Sequence, residues 1–373
     1  MLGDQEASQS PFLRALRLLA AFALLAALVP AALASRSAAA PGSGLERAIE
    51  VQDRNSDRLL ARGAIVGAGV GLDESGTAEI VVLAERGVRV AETLGGVPVE
   101  LTVTGAITSA KAAPRKKPDN PGKGNGNGGG NGGGGEGGEE AEPSLSTTDL
   151  WPRPVPIGIS TGNAKECAAG TIGARVSDGA GGVYALSNNH VYARENAASL
   201  GEEILQPGRY DTSCAIAAES HLGTLSDYEE LDFEGGANLM DAAIALTPAG
   251  TLCVATPSGG YGAPSSTSVE AALGAPVQKF GRTTGLTEGR VVVVNADVEV
   301  GYGSGVARFE DQIWVEGRKP FLKSGDSGSL LVSDDVTASP VGLLFAGNSS
   351  GKFAVASPIQ PILDAFGVTI DSE

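Results

Sequence analysis

The chain has 373 residues, 42 % of them apolar, and a formal charge of −17. That length allows more than one core, the apolar share excludes a disordered chain, and the acidic balance argues against nucleic acid, whose phosphates call for a basic surface. With 54 glycines but only 9 Phe, 6 Tyr and 2 Trp, the core has to be built from small aliphatic side chains.

Arg14 and Arg17 precede an apolar run over residues 18–29, Pro30 breaks it, and Ala32, Leu33 and Ala34 offer small residues for cleavage. Residues 1–34 therefore read as a secretory signal peptide. An uncleaved anchor is the alternative, but the run is shorter than a bilayer needs. The expected destination is extracellular or periplasmic, with no membrane association after the signal is removed.

Residues 45–108 read as a small α+β module. Leu45, Ala48, Ile49, Leu59 and Leu60 fall mostly at helical spacing. The stretches AIVGAGVGLD, AEIVVLAE and VPVELTV then read as strands separated by Gly and Asp turns. The module holds neither His nor Cys. A regulatory or inhibitory pro-region and an inert folding or binding module are both open, and the first implies intramolecular regulation by residues 45–108. Residues 111–143 turn glycine-rich and cannot bury enough surface to offset their ordering entropy, so a flexible linker is expected. Arg115, Lys116 and Lys117 within it offer a processing point.

From residue 144 to 373 short apolar runs recur, among them GVYALS, AAIAL, RVVVV, QIWVEG, SLLVS and VGLLFAG, punctuated by turn residues. Many short strands without alternating helices predict an all-β domain of antiparallel barrels. One helix is expected near the end, where Ile359, Ile362, Leu363 and Phe366 share a face. Cys167, Cys214 and Cys253 suit an exported chain with one disulfide and one spare thiol. Spacing does not choose the pair.

The stretch LKSGDSGSLL, residues 322–331, puts Ser327 and Asp326 at the mouth of an apolar strand. Burying them there costs free energy unless they have partners or a task. A serine hydroxyl becomes nucleophilic when a base takes its proton and a third group orients that base. The chain has two histidines. His221 opens a strand and reads as a surface or structural residue, whereas His190 ends the strand in VYALSNNHVYA. In NLMDAAIALTP, Asp241 stands before an apolar run with no basic neighbour in sequence. Each has a bland explanation alone; together, His190, Asp241 and Ser327 follow the chain order of a chymotrypsin-type triad. An α/β-hydrolase would need its histidine after the serine. No HExxH or papain-type cysteine signature is present, so neither a metal nor another cofactor is expected.

SGDSGSLL resembles the nucleophile loop of the trypsin/chymotrypsin superfamily, LSNNHV its histidine motif and MDAAIAL its aspartate motif. KFGRTTGLTEGRV, residues 279–291, resembles a segment of streptogrisin-like enzymes and of the narrow-leaf type of trypsin-like proteins of plants; a structural role is expected for it. The resemblance covers about residues 155–366. It implies a double antiparallel β-barrel with a C-terminal helix, preceded here by the α+β module, and a secreted serine endopeptidase acting on protein or peptide substrates. It implies His190 as general base, Asp241 as its orienter and Ser327 as nucleophile, with the backbone N–H groups of Gly325 and Ser327 as oxyanion hole. Phe321 falls at the floor of the primary pocket, where an aspartate would select Arg or Lys. Phe345 and Gly347 fall on the strand that pairs with substrate backbone. The domain lacks the Ile-Val-Gly-Gly start to which trypsin's counterpart of Asp326 pairs, so an arginine or backbone partner is expected. The acidic loop 227–236 is read as solvated rather than calcium-binding. The competing class is a binding protein that keeps this fold without turnover.

Overall fold

The computed structural model describes residues 44–114, 145–318 and 320–372. The signal peptide expected over residues 1–34 and Arg115, Lys116 and Lys117 of the linker lie outside the described residues. The described residues from 45 onward belong to one compact unit. Among the described residues, no helix is long and apolar enough to cross a membrane.

The fold is the expected double β-barrel. The described strands form two sheets, of eight and twelve strands. The smaller sheet runs from Val368–Ile370 through Ala174–Asp178, Val183–Ser187, Ala243–Leu246, His221–Tyr228 and Glu203–Leu205 to Ser160–Asn163 and Gly170–Thr171. Its pairings are antiparallel throughout. Alternating side chains face inward, as the period of a strand requires: Ala243 and Ala245 meet Ala185, Ile204 and Leu225 in one core.

The larger sheet is built on a long hairpin, Gly285–Gly301 with Val306–Gly317, flanked by Pro276–Gly281, Leu330–Ser333, Pro340–Asn348 and Phe353–Pro358. The short final helix, Ile359–Phe366, buries Ile359, Ile362 and Leu363, and Gly367 ends it in the left-handed conformation that glycine takes most readily.

The N-terminal helix spans Leu45–Leu60 and buries Ala48, Val51, Leu59 and Leu60 against the strands Ile65–Leu72, Ala78–Ala84 and Val97–Val103. These strands do not form a sheet of their own. Ile65–Leu72 pairs with the long hairpin strand, Gly67 opposite Val298 and Val70 opposite Val294, and so extends the second barrel's sheet. The alternating glycines of this strand explain the fit. A Cβ on Gly67 would come 2.9 Å from the Asp297 carbonyl oxygen, and one on Gly69 would come 2.4 Å from a Val293 methyl. Glycine in a strand marks such close approach.

Candidate active site

Two adjacent strands of the smaller sheet set His190 and Asp241 beside each other. Val183–Ser187 pairs with Ala243–Leu246, Ser187 opposite Ala243; His190 lies in the single turn of helix after the first strand and Asp241 just before the second. The Asn188 side chain donates to the Asp241 carbonyl oxygen at 2.7 Å, closing the gap between them. His190 Nδ1 and Asp241 Oδ2 are 2.5 Å apart, and the His190 backbone N–H donates to Asp241 Oδ1 at 3.2 Å. Tyr302 completes this carboxylate: its hydroxyl donates to Oδ2 at 2.8 Å, and its ring stands edge-on to His190. Burial pushes the Tyr302 hydroxyl well above its ordinary pKa, with the Asp241 charge acting in the same direction, so the tyrosine stays a donor. The turn that carries it, closed by Tyr302 N–H on the Gly305 carbonyl, is the tip of the long hairpin. Sequence reading passed over Tyr302; its only signal was an aromatic residue inside a GYGSG turn.

Ser327 comes from the other barrel, on the loop before Leu330–Ser333. Its hydroxyl donates to the Phe345 carbonyl at 3.1 Å. His190 Nε2 is buried without a hydrogen-bond partner. An orphaned buried nitrogen costs roughly 1–3 kcal/mol, so a task for it is worth seeking. The serine loop touches the first barrel directly, since Thr171 N–H donates to the Ser327 carbonyl at 2.7 Å.

The loop rests on Asp326. This carboxylate accepts from the N–H groups of Lys323, Thr283 and Thr284 and from the Thr284 hydroxyl, all within 3.1 Å, and Lys279 Nζ lies 3.7 Å away. Backbone groups and a lysine thus do what was expected of an arginine or the backbone. Lys279 is fully buried, and burial pulls its ammonium down to about 8 against the raising effect of Asp326. Segment 279–291 is a seat for the serine loop. Its Arg282 also pairs with Asp211, near the disulfide that joins Cys167 to Cys214 and leaves Cys253 free. His221 lies on the surface beside Glu203. Among the described residues, no cluster of His, Cys, Asp and Glu could hold a metal ion.

His190, Asp241 and Ser327 are each 0 % exposed. The cover is the chain itself. Residues 107–109 pair antiparallel with the end of Pro340–Asn348, Ser109 opposite Ala346 and Thr108 opposite Gly347. Ala110 N–H then donates to the Phe345 carbonyl at 3.0 Å, and the Ala110 carbonyl accepts from Gly325 N–H at 2.5 Å. Lys111 Nζ donates to the His190 carbonyl at 2.8 Å, and Ala112 exchanges two 2.8 Å backbone bonds with Ala169 of the first barrel. Lys111 and Ala112, placed by composition with the linker, are anchored. One strand therefore crosses both barrels, with the carbonyl of Ala110 on the N–H of Gly325. Gly325 takes φ +103°, a conformation glycine adopts without strain.

The substrate-side residues are placed unevenly. Phe345 offers its carbonyl to the strand, while its ring packs on Phe309 in the core. Gly347 is needed for space, since a Cβ there would lie 2.7 Å from the Phe353 carbonyl oxygen. Phe321 is buried in the core beneath. The neighbouring residue, Leu322, lines the cavity of about 340 Å³ beside Ala110, with Thr283, Lys323, Ser324 and Asn348.

Residues 264–365 match the family described as the Nal1 C-terminal domain, a span that holds Ser327 and segment 279–291 but neither His190 nor Asp241. No curated protein matches the chain. Among solved structures the chain is similar to Thermobifida fusca protease A, at 19 % identity, covering 59 % of this chain and 100 % of that one with a TM-score of 0.42. It is also similar to a Cellulomonas bogoriensis chymotrypsin, at 21 % identity, 59 % and 99 % coverage and a TM-score of 0.41. A Nocardiopsis protease follows at 17 %, 58 %, 99 % and 0.40. Likeness at this level assigns no activity; two strand-rich sheets with a C-terminal helix fit the chymotrypsin-like double-barrel fold.

Proposed function

We propose that this chain is a secreted serine endopeptidase, held latent by residues 107–112 lying in its own cleft. One observation carries the reading: a strand spans the two barrels with the Ala110 carbonyl on the Gly325 N–H, beside a buried His190–Asp241 pair and Ser327. A backbone N–H aimed at a carbonyl oxygen is the donor that acyl transfer requires. In this mechanism Ser327 Oγ leaves the Phe345 carbonyl for His190 Nε2, which takes its proton as the hydroxyl attacks. Asp241 fixes the imidazole and balances its charge, and Gly325 N–H receives the developing oxyanion. Substrates are extended peptides, because the cleft binds backbone by adding a strand. Export is supported by the composition of residues 1–34 and by the Cys167–Cys214 disulfide, which persists in oxidising compartments.

The binding-protein reading has one observation on its side, the Ser327 hydroxyl bonded to the Phe345 carbonyl while His190 Nε2 has no hydrogen-bond partner. A fluorophosphonate probe separates the two. Labelling is expected in the wild type, absent in Ser327→Ala and weak in His190→Ala. It should be faster in Ala110→Pro, which removes the N–H that holds Ala110 on Phe345. An Ala110→Pro protein with native circular dichroism and no labelling would establish the binding reading instead.

A further inference from the structure

The residue after Ala110 is held as specifically as Ala110 itself. The Lys111 side chain is only 9 % exposed. Its ammonium donates to Glu166 Oε1 and Oε2 at 2.8 and 3.0 Å and to the His190 carbonyl at 2.8 Å, with Glu195 Oε1 at 3.9 Å. The two Glu166 oxygens and the carbonyl take the three donors of the lysine, and Glu195 adds a second negative charge beside it. Glu195 is itself fixed, by the N–H groups of Gly303 and Ser304 at the hairpin tip, and stands at φ +57°, a conformation that costs a non-glycine residue free energy. Burial raises the Glu195 carboxyl, but hydrogen bonds from Ser304 and the charge of Lys111 outweigh it and hold it below the usual range.

We propose that Glu166 and Glu195 form a cation pocket on the leaving-group side of the cleft, that the enzyme cleaves before lysine, and that its first substrate is its own Ala110–Lys111 bond. This rests on the protease reading above. The step balances as a hydrolysis. Ser327 Oγ bonds to the Ala110 carbonyl carbon and its proton passes to His190. The carbon–nitrogen bond breaks as that proton moves to the Lys111 nitrogen. Water then adds to the acyl carbon through His190, leaving a carboxylate on Ala110 and the hydroxyl on Ser327. A lysine on the leaving side also keeps its charge paired with the pocket while the carbon–nitrogen bond breaks, whereas an uncharged residue there leaves the poorly solvated Glu195 carboxylate without a cation.

The test uses the full chain, followed over time by intact mass and N-terminal sequencing, together with peptides carrying Lys, Arg, Met or Glu after the scissile bond. The wild type is expected to yield a fragment beginning at Lys111, Ser327→Ala none, and Lys111→Met a rate at least about tenfold lower. Peptides with Lys should be cleaved about tenfold or more faster than those with Met, and Glu166→Gln should bring that ratio close to one. Because the peptide ratio is internal to each variant, it is read even if a substitution lowers the folded fraction. Self-cleavage of Lys111→Met at the wild-type rate, cleavage only at other bonds, or peptides with Lys and Met cut equally by the wild type would each overturn the pocket while leaving the protease standing. Absence of both cleavage and fluorophosphonate labelling would remove the protease reading, and the pocket with it.

Discussion

At the scale of single residues, Tyr302 and Lys279 are the groups whose burial has to be explained. Tyr302 donates the one side-chain hydroxyl bond described on Asp241. A hydrogen bond to a charged group contributes roughly 1.5–3 kcal/mol, so Tyr302→Phe is expected to lower kcat on a linear peptide by about tenfold to a hundredfold. KM should change little, because the hydroxyl touches Asp241 and not the strand in the cleft. An unchanged kcat would mean that Asp241 holds the imidazole without it. Lys279 presents a pH dependence of unusual sign. Its native pKa, about 8, lies below the unfolded value of about 10.4. Between those values the unfolded chain binds more protons, so this group makes stability rise with pH. Below about pH 8 the full cost, about 3 kcal/mol, is in place. Lys279→Met removes that cost but leaves Asp326 buried on its four other hydrogen bonds without a cation, a loss of about 3–5 kcal/mol by itself, so the variant should be modestly less stable than the wild type at pH 7. It should also lose the gain between pH 8 and 10. Urea denaturation at several pH values checks both, and parallel wild-type and variant curves would refute the assignment.

At the scale of elements, the glycines of Ile65–Leu72 decide how the N-terminal segment joins the rest. The Cβ positions of Gly67 and Gly69 are already occupied by the hairpin strand, and Val66 enters the same core as Val298, Trp314 and Phe345. Gly69→Val is expected to destabilise by about 1–3 kcal/mol through overpacking against Val293 and Ala296, seen as a lower urea midpoint with an unchanged slope. This element was half legible in the sequence. Its strands follow from the alternation of Val, Ile and Gly, but its partner does not, because a pairing between residues near 68 and near 297 leaves no local signature in either stretch. The site divides the same way. His190, Asp241 and Ser327 stand out because few histidines exist and each candidate sits at a strand end. The Cys167–Cys214 pairing, the lysine beneath Asp326 and the Tyr302 bond are contacts between residues distant in sequence. Residues 107–109 form a strand only because the edge of Pro340–Asn348 receives them, and three residues are too few to show a period.

At the scale of the whole molecule, those long-range pairings determine what the proposed cleavage of the Ala110–Lys111 bond would do. The disulfide lies entirely on the C-terminal side of that bond, so no covalent link described here would join the two pieces. The N-terminal piece would nevertheless keep its antiparallel pairing with Gly285–Gly301, its share of the core around Phe345 and the hydrogen bonds from Asn295 to Gln52 and Asp53. Its last residue would remain opposite Phe345 as a bound product. Residues after 110 would be free to leave, opening the side of the cleft that Lys111 and Ala112 had filled. Cleavage is thus expected to convert a closed chain into a two-piece protein that turns over peptides but is still partly inhibited from the acyl side. The two fragments should co-elute on size-exclusion chromatography in native buffer and separate in urea without reductant. Fluorophosphonate labelling of the cleaved protein should rise several-fold when Thr108→Pro weakens the pairing with Gly347, because a proline removes a backbone donor from that short strand. Fragments that part spontaneously on cleavage would show that the shared sheet is too weak to retain the N-terminal piece, and that latency is relieved by dissociation instead.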